Sequence, residues 1–254
     1  MRVLLLRLDA PLMSFGGVCV DARGPTTAHP GRSLITGLLA NALGLDHADA
    51  ERLNRIQERL RVASRVDAPG QVVVDYQTAD LGQDFLKEDG WTTWDAPQGR
   101  KGGEAAEGTH IRLRSYHASR IQTVALTLEP AGEAPALDQL ATALDHPARP
   151  LFIGRKPCLP AGRLLIGLVE SPSLLDALRQ TPPWRHRHGQ GRQSALDVWW
   201  PEAPAASAAP APENSTVEAV VDERDWREQY VTGRRLIRHG RIDLPPAAGA
   251  TRHG

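Results

Sequence analysis

At 254 residues the chain can bury a sizeable core, as one large domain or as one domain with a smaller appendage. Thirty basic and thirty acidic residues cancel, which excludes capture of a polyanion by bulk charge; nucleic acid would need a local basic face. Two cysteines, Cys19 and Cys158, are too few for a disulfide scaffold and suit a reducing, cytoplasmic setting. The opening MRVLLLRLDAP is too short, and too interrupted by Arg7, for a signal peptide or a membrane span.

In chain order, Val3 to Leu8 reads as a strand buried on both faces in the middle of a sheet. From Ala10 to Arg32 a series of glycines and prolines breaks every period and marks a loop longer than ordinary connections, the kind that carries function. Ser33 then reads as the N-cap of a helix with Leu34, Ile35, Leu38, Leu39, Ala42 and Leu43 on one stripe, stopped by Gly44. A second helix follows from Asp49, with Leu53, Ile56 and Leu60 inward.

Arg61 to Val66 and Val72 to Tyr76, either side of Asp67-Ala68-Pro69-Gly70, predict a hairpin. Residues 77–110 turn polar and glycine-rich around Phe85, Trp91 and Trp94, an excursion from the core. Ile111 to His117 returns as a strand with a basic and aromatic face, and Val124, Leu126 and Leu128 give the clearest period-two strand of the chain. A helix over Ala136 to Leu144 and the apolar run Leu151 to Ile153 complete a β-α-β-β-α-β order, the ferredoxin-like arrangement of an α+β protein with both helices on one sheet face. Leu164 to Val169 allows a further strand and Ser173 to Leu178 a short helix. Beyond them, PPWRHRHGQGRQ at 182–193 is basic and flexible in composition, PEAPAASAAPAP at 201–212 is linker-like, and 217–242 reads as a small β-rich unit with an unstructured tail.

Three groups of residues offer chemistry. Gly154-Arg155-Lys156 ends an apolar run in glycine and two cations, a layout for phosphate contacts by backbone and charge, and equally that of a solvated basic turn. Arg112, Arg114, Tyr116, His117 and Arg120 would suit sugar-phosphate contacts with base stacking, or a salt-bridged exposed strand. His186 and His188 lie two apart, but the interleaved arginines would repel a divalent cation, so no metal is expected. Gly16-Gly17 lacks the lysine or third glycine of a nucleotide-binding loop, and no cofactor is expected. Tyr76, His110 and His117 are candidates for acid-base work on RNA that sequence spacing alone cannot bring together.

RLDAPLMSFG, GPTTAHPGRSLITGLLANALGL, DYQTAD, YHASRIQTVALTLEP and PLFIGRKPC, in this order and spacing, resemble the CasD subunits of type I-E CRISPR surveillance complexes, called Cascade. The resemblance covers roughly residues 1–170 and, more loosely, Trp226 to Ile242. It implies an RRM-like, ferredoxin-type domain over 1–170 with a projecting β-hairpin thumb at about 77–117. A small C-terminal domain would follow over 171–254, with a flexible linker at about 201–215. It also implies a non-catalytic, cytoplasmic RNA-binding protein that holds the 5′ handle of the CRISPR RNA. Such a protein caps the filament of backbone subunits and helps seat the large subunit, and so touches target DNA only through the complex and no membrane. Handle contacts would come from Ser14, Phe15, Arg32, Ser33, Tyr76, Arg114, Tyr116, Gly154, Arg155 and Lys156. Relatives in other CRISPR subtypes cut repeat RNA without a metal, which makes an endoribonuclease the alternative. If the handle reading holds, the loop over Pro11 to Arg32 should lie beside the turn at Gly154 to Lys156.

Overall fold

The computed structural model describes residues 1–19, 22–80, 90–91, 97–98, 109–184, 195–202, 212 and 214–243. Phe85, Trp94, most of the basic 182–193 segment, most of the 201–212 linker and the C-terminal tail lie outside these.

The strands are β1 (Arg2–Asp9), β2 (Leu12–Met13), β3 (Arg23–Gly24), β4 (Leu60–Ala68), β5 (Gln71–Asp80), β6 (Gly90–Trp91), β7 (Pro97–Gln98), β8 (Thr109–Ala118), β9 (Ile121–Leu128), β10 (Leu165–Glu170), β11 (Ala195–Pro201), β12 (Thr216–Val220), β13 (Glu223–Asp225), β14 (Tyr230–Thr232) and β15 (Arg235–Asp243). The α-helices are α1 (Arg32–Leu43), α2 (Ala50–Arg59), α3 (Leu137–Asp145) and α4 (Leu174–Gln180). The fold is α+β and dominated by sheet. No helix among the described residues is long and apolar enough to cross a membrane.

Seven strands form the central sheet in the order β10-β1-β9-β4-β11-β15-β12, each pair antiparallel. The alternation of β1 explains its central place. Leu4, Leu6 and Leu8 pack with Ile35 and Leu39 of α1 and Leu140 of α3, whereas Val3 and Leu5 pack on the other face with Leu174, Leu175 and Leu178 of α4. Each fully buried leucine is worth about 1.5–3 kcal/mol relative to exposure. On the α4 side, Arg65 and Asp67 are fully buried and paired at 2.7 Å. Asp67 also accepts hydrogen bonds from Thr123 Oγ1 at 2.7 Å and from the Trp184 N–H at 2.9 Å, while Arg65 donates to the carbonyls of Leu178 and Thr181. The polar groups so satisfied fix the end of α4 on the sheet.

The expected hairpin over 61–76 does not form. β4 pairs with β9 and β11, and β5 instead runs antiparallel to β8 from Gln71↔Ala118 to Asp80↔Thr109. The strands separate at Gly70, whose φ of +56° turns the chain out of the first sheet. β5 and β8 make a long ribbon, stitched at its base to the loop after β1 through β2, antiparallel to β8, and β3, parallel to it. Residues 151–153 are not a strand either, and β10 takes the edge beside β1. Ile153 spends its N–H on the Cys158 carbonyl at 2.8 Å and its carbonyl on the Ser14 N–H at 3.3 Å, which leaves nothing for a ladder. The C-terminal strands β11, β15 and β12, read from sequence as part of an appended unit, are hydrogen-bonded onto the central sheet through β4. Val198, Trp200 and Ile242 join the α4 core, while Trp199 and Ile237 pack with Val66 on the opposite face.

Helix α1 starts earlier than its sequence suggests. Its N-cap is Gly31 and not Ser33, because a distant carboxylate caps it. Gly44, at φ +77°, ends the helix as expected.

Candidate nucleic-acid interface

The loop after β1 is shaped by its own polar groups. Phe15 N–H donates to Thr26 Oγ1 at 3.0 Å, Thr27 N–H to the Gly16 carbonyl at 2.9 Å, and Thr27 Oγ1 to the His29 carbonyl at 2.9 Å. The 153–158 turn is closed by Cys158 N–H to the Arg155 carbonyl at 2.8 Å. These two segments touch. Gly154 sits at φ +89° with its backbone so close to Ser14 that a Cβ would collide with the Ser14 carbonyl, so only glycine fits. The expected neighbourhood of loop and turn is therefore present.

Between them and α1 lies a cavity of about 640 Å³ lined by Ser14, Phe15, Ser33, Gly154 and Arg155 of the expected residues. Phe152, His29, Asn41 and Asp222 also face it. Ser14 Oγ is buried and has no hydrogen-bond partner among the described residues. Phe15 is buried with its ring 5.0 Å from that of His117.

Arg155 is half-buried and engaged: it donates to the Ser115 carbonyl at 3.1 Å and the Gly24 carbonyl at 3.0 Å, and its guanidinium lies 4.6 Å over the Tyr116 ring. Tyr116 is buried beneath it. Arg114 converges on the same point. A Cβ on Gly24 would stand 2.9 Å from Arg114 Nη1 and 3.0 Å from Arg155 Nη2, and Arg114 is also 3.9 Å from Cys19 Sγ. Among the described residues neither arginine has a carboxylate partner. Two like charges held together cost about 4 kcal/mol at 4 Å in an effective dielectric of 20, less at longer range, and an anion between them removes that cost. Lys156 is exposed beside the pair.

Two expected residues point elsewhere. Tyr76 is 60% exposed and pairs across the ribbon with Leu113, whereas Arg114 pairs with Asp75. Since alternate residues face opposite sides of a strand pair, Tyr76 and Arg114 lie on opposite faces of the ribbon. Arg32 turns its guanidinium to Glu223. Its backbone N–H donates to Asp222 Oδ2 at 2.9 Å, and the Ser33 N–H donates to the Asp222 carbonyl at 2.8 Å.

Burial lowers the pKa of His29 and of His117, keeping both neutral. His117 Nε2 is 2.8 Å from the Thr27 carbonyl and so carries the proton as donor. Burial alone would raise the Asp222 carboxyl, but the hydrogen bonds and charge of Arg235 bring it below its ordinary value. Asp222 escaped sequence reasoning because its partner Arg32 is 190 residues away, and no local pattern records such a cap. His29 lies within a motif already quoted, but nothing local showed that it would turn inward. No cluster of three or more His, Cys, Asp or Glu suited to a metal occurs among the described residues.

A family model described as CRISPR-associated protein (Cas_Cas5) matches residues 3–238. The CRISPR system Cascade subunit CasD of Escherichia coli (strain K12) is 27% identical over 180 residues, 71% of this chain and 77% of that protein. A chain of a solved CRISPR RNA-guided surveillance complex superposes with a TM-score of 0.70 at 26% identity, covering 98% of this chain and 95% of its own. The crystal structure of a Cas protein matches in fold with a TM-score of 0.62 at 24% identity, over 96% of this chain and 97% of the other. Fold and matched span together define a CRISPR-associated protein. The chain belongs to the Cas_Cas5 family.

Proposed function

We propose that the chain is the subunit of a CRISPR surveillance complex that holds the 5′ handle of the CRISPR RNA without cutting it. The convergence of Arg114 and Arg155 on Gly24, without a carboxylate partner among the described residues, carries this reading. A single-stranded handle can lay a phosphate against that pair and Lys156, and a base against the half-buried Phe152 at the cavity. The strand order β10-β1-β9-β4 with α1 and α3 on one face supports a ferredoxin-like, RRM-like core, and the β5–β8 ribbon is the thumb. In this role the chain caps a filament of backbone subunits and helps seat the large subunit that inspects target DNA. The cytoplasm is its place of work.

The acid-base alternative has little support in the geometry. His110 and His117 are seven residues apart on β8, about 23 Å along an extended strand, and His117 is committed to the Thr27 carbonyl. Repeat RNA incubated with the chain in EDTA should stay intact; a defined cut would revive the endoribonuclease. For the binding reading, Arg155→Ala combined with Lys156→Ala should weaken handle RNA binding and flatten its dependence on salt. Unchanged affinity and slope in a folded variant would remove the assignment.

A further inference from the structure

Helix α1 begins without a local cap, because Gly31 has no side chain to offer, and a helix start leaves its first N–H groups without partners. The C-terminal part of the chain fills the gap. Asp222 takes the Arg32 N–H on its carboxylate and the Ser33 N–H on its carbonyl. Glu223 pairs with the Arg32 guanidinium, and Arg235 holds Asp222 through hydrogen bonds of 2.8 and 2.6 Å. A helix N-terminus with an arginine beside it is a site for phosphate. Here two carboxylates occupy it.

The same segment is a wall of the cleft. Val221 and Asp222 line the cavity together with Ser14, whose Oγ has no partner among the described residues although the residue is only 1% exposed. The buried Nε of Arg32, whose Nη1 pairs with Glu223, also lacks a partner among the described residues. Two buried donors around the strap are thus unsatisfied among the described residues, and both are available to an incoming ligand. The anchoring of the segment lies further on: Gln57 binds the N–H and the carbonyl of Arg224, Asn54 binds the Trp226 N–H, and the buried Trp226 ring donates to Gln57. The backbone of Glu223 is itself held opposite Thr232 in the β13–β14 pair, so it is the carboxylate side chains that would swing out while the anchor stays in place.

We propose that Asp222 and Glu223 form an acidic strap that occupies a phosphate site at the start of α1 in the RNA-free chain and yields it to a phosphodiester of the bound RNA. The inference rests on the reading that this cleft holds RNA. A phosphodiester brings one negative charge, which replaces that of Glu223 on Arg32, while Asp222 keeps its ion pair with Arg235.

The test titrates the full chain with a synthetic single-stranded RNA of the repeat-derived 5′ handle over a range of salt. Glu223→Gln should bind several-fold tighter at low salt, with a slope steeper by about 0.7 for one added phosphate contact. Adding Arg32→Ala to Glu223→Gln should abolish both gains. Asp222→Asn is the second variant, with thermal melting to confirm its fold, and it too should bind more tightly. If the unmodified chain binds RNA and neither acidic variant binds more tightly or with a steeper slope, the strap is only a helix cap and the proposal fails. If neither the unmodified chain nor the variants bind RNA, the cleft reading fails and takes the strap with it.

Discussion

The two ends of the cleft are built from the same residue types and differ in how the charges are matched. At the ribbon end Arg114 and Arg155 crowd Gly24 with carbonyls and an aromatic ring for company. At the α1 end Arg32 and Arg235 are shielded and matched one to one with Glu223 and Asp222. A count of arginines would rank the ends equally. Matching them against carboxylates separates an end open to an external anion from one already filled by the chain itself.

The most disruptive way to break this comparison is Gly154→Ala. It forces a side chain onto the Ser14 carbonyl at a positive φ, where backbone strain alone costs about 1–3 kcal/mol. The melting temperature should fall by several degrees and handle RNA binding should be lost, while the Asp222 cap on α1 remains; an unchanged melt would mean that the loop and the turn are not in contact. Arg114→Ala sharpens the comparison without touching the core. It should weaken RNA binding roughly tenfold at low salt and lower the salt slope by about 0.7, with stability changed by less than about 0.5 kcal/mol. Equal loss from removing Arg235, with the fold intact, would erase the distinction between the two ends.

A smaller effect comes from acid, which acts on the loop joining the ends. His29 and His117 have folded pKa values pushed below their ordinary value by burial, so the unfolded chain binds more protons below about pH 6.5. The stability these neutral rings contribute is fully present above that pH and drains as pH falls towards their folded values. Melting temperature should therefore drop as the pH is lowered from about 6.5 to about 5, and His117→Gln should remove part of the drop. A flat profile would contradict buried neutral rings. The smallest effect belongs to Tyr76→Ala. With Tyr76 on the far face of the ribbon, RNA affinity should change by less than about twofold, within the range of ordinary surface substitutions.

What could be read in the sequence follows from the range of the interactions involved. β1 is legible as a compact apolar run that buries both faces, and β9 because its alternation places Val124, Leu126 and Leu128 on one face within eight residues. Gly44 ends α1 by a local rule. The 61–76 hairpin misleads because two adjacent β-branched runs carry no record of their partners, and β4 chooses a strand some sixty residues on. Residues 151–153 look like a strand because they form a short apolar run, yet the backbone of Ile153 serves the turn and the loop. At the site, the loop and turn do meet, but not because both leave core strands as expected: only the loop leaves a strand, and the Ser14 backbone is joined to Ile153 and pressed against Gly154. The matched charges at α1 were not: Asp222 and Glu223 reach Arg32 across 190 and 191 residues.

RNA crosslinking in the assembled complex, mapped to residues of this chain, tests the central claim most directly. Crosslinks should concentrate on 14–17, Arg114 and 152–156, around the end of the cleft where two arginines meet without a carboxylate among the described residues. Crosslinks confined to α4, to the outer strands β12 and β15, or to the Tyr76 face of the ribbon would contradict it.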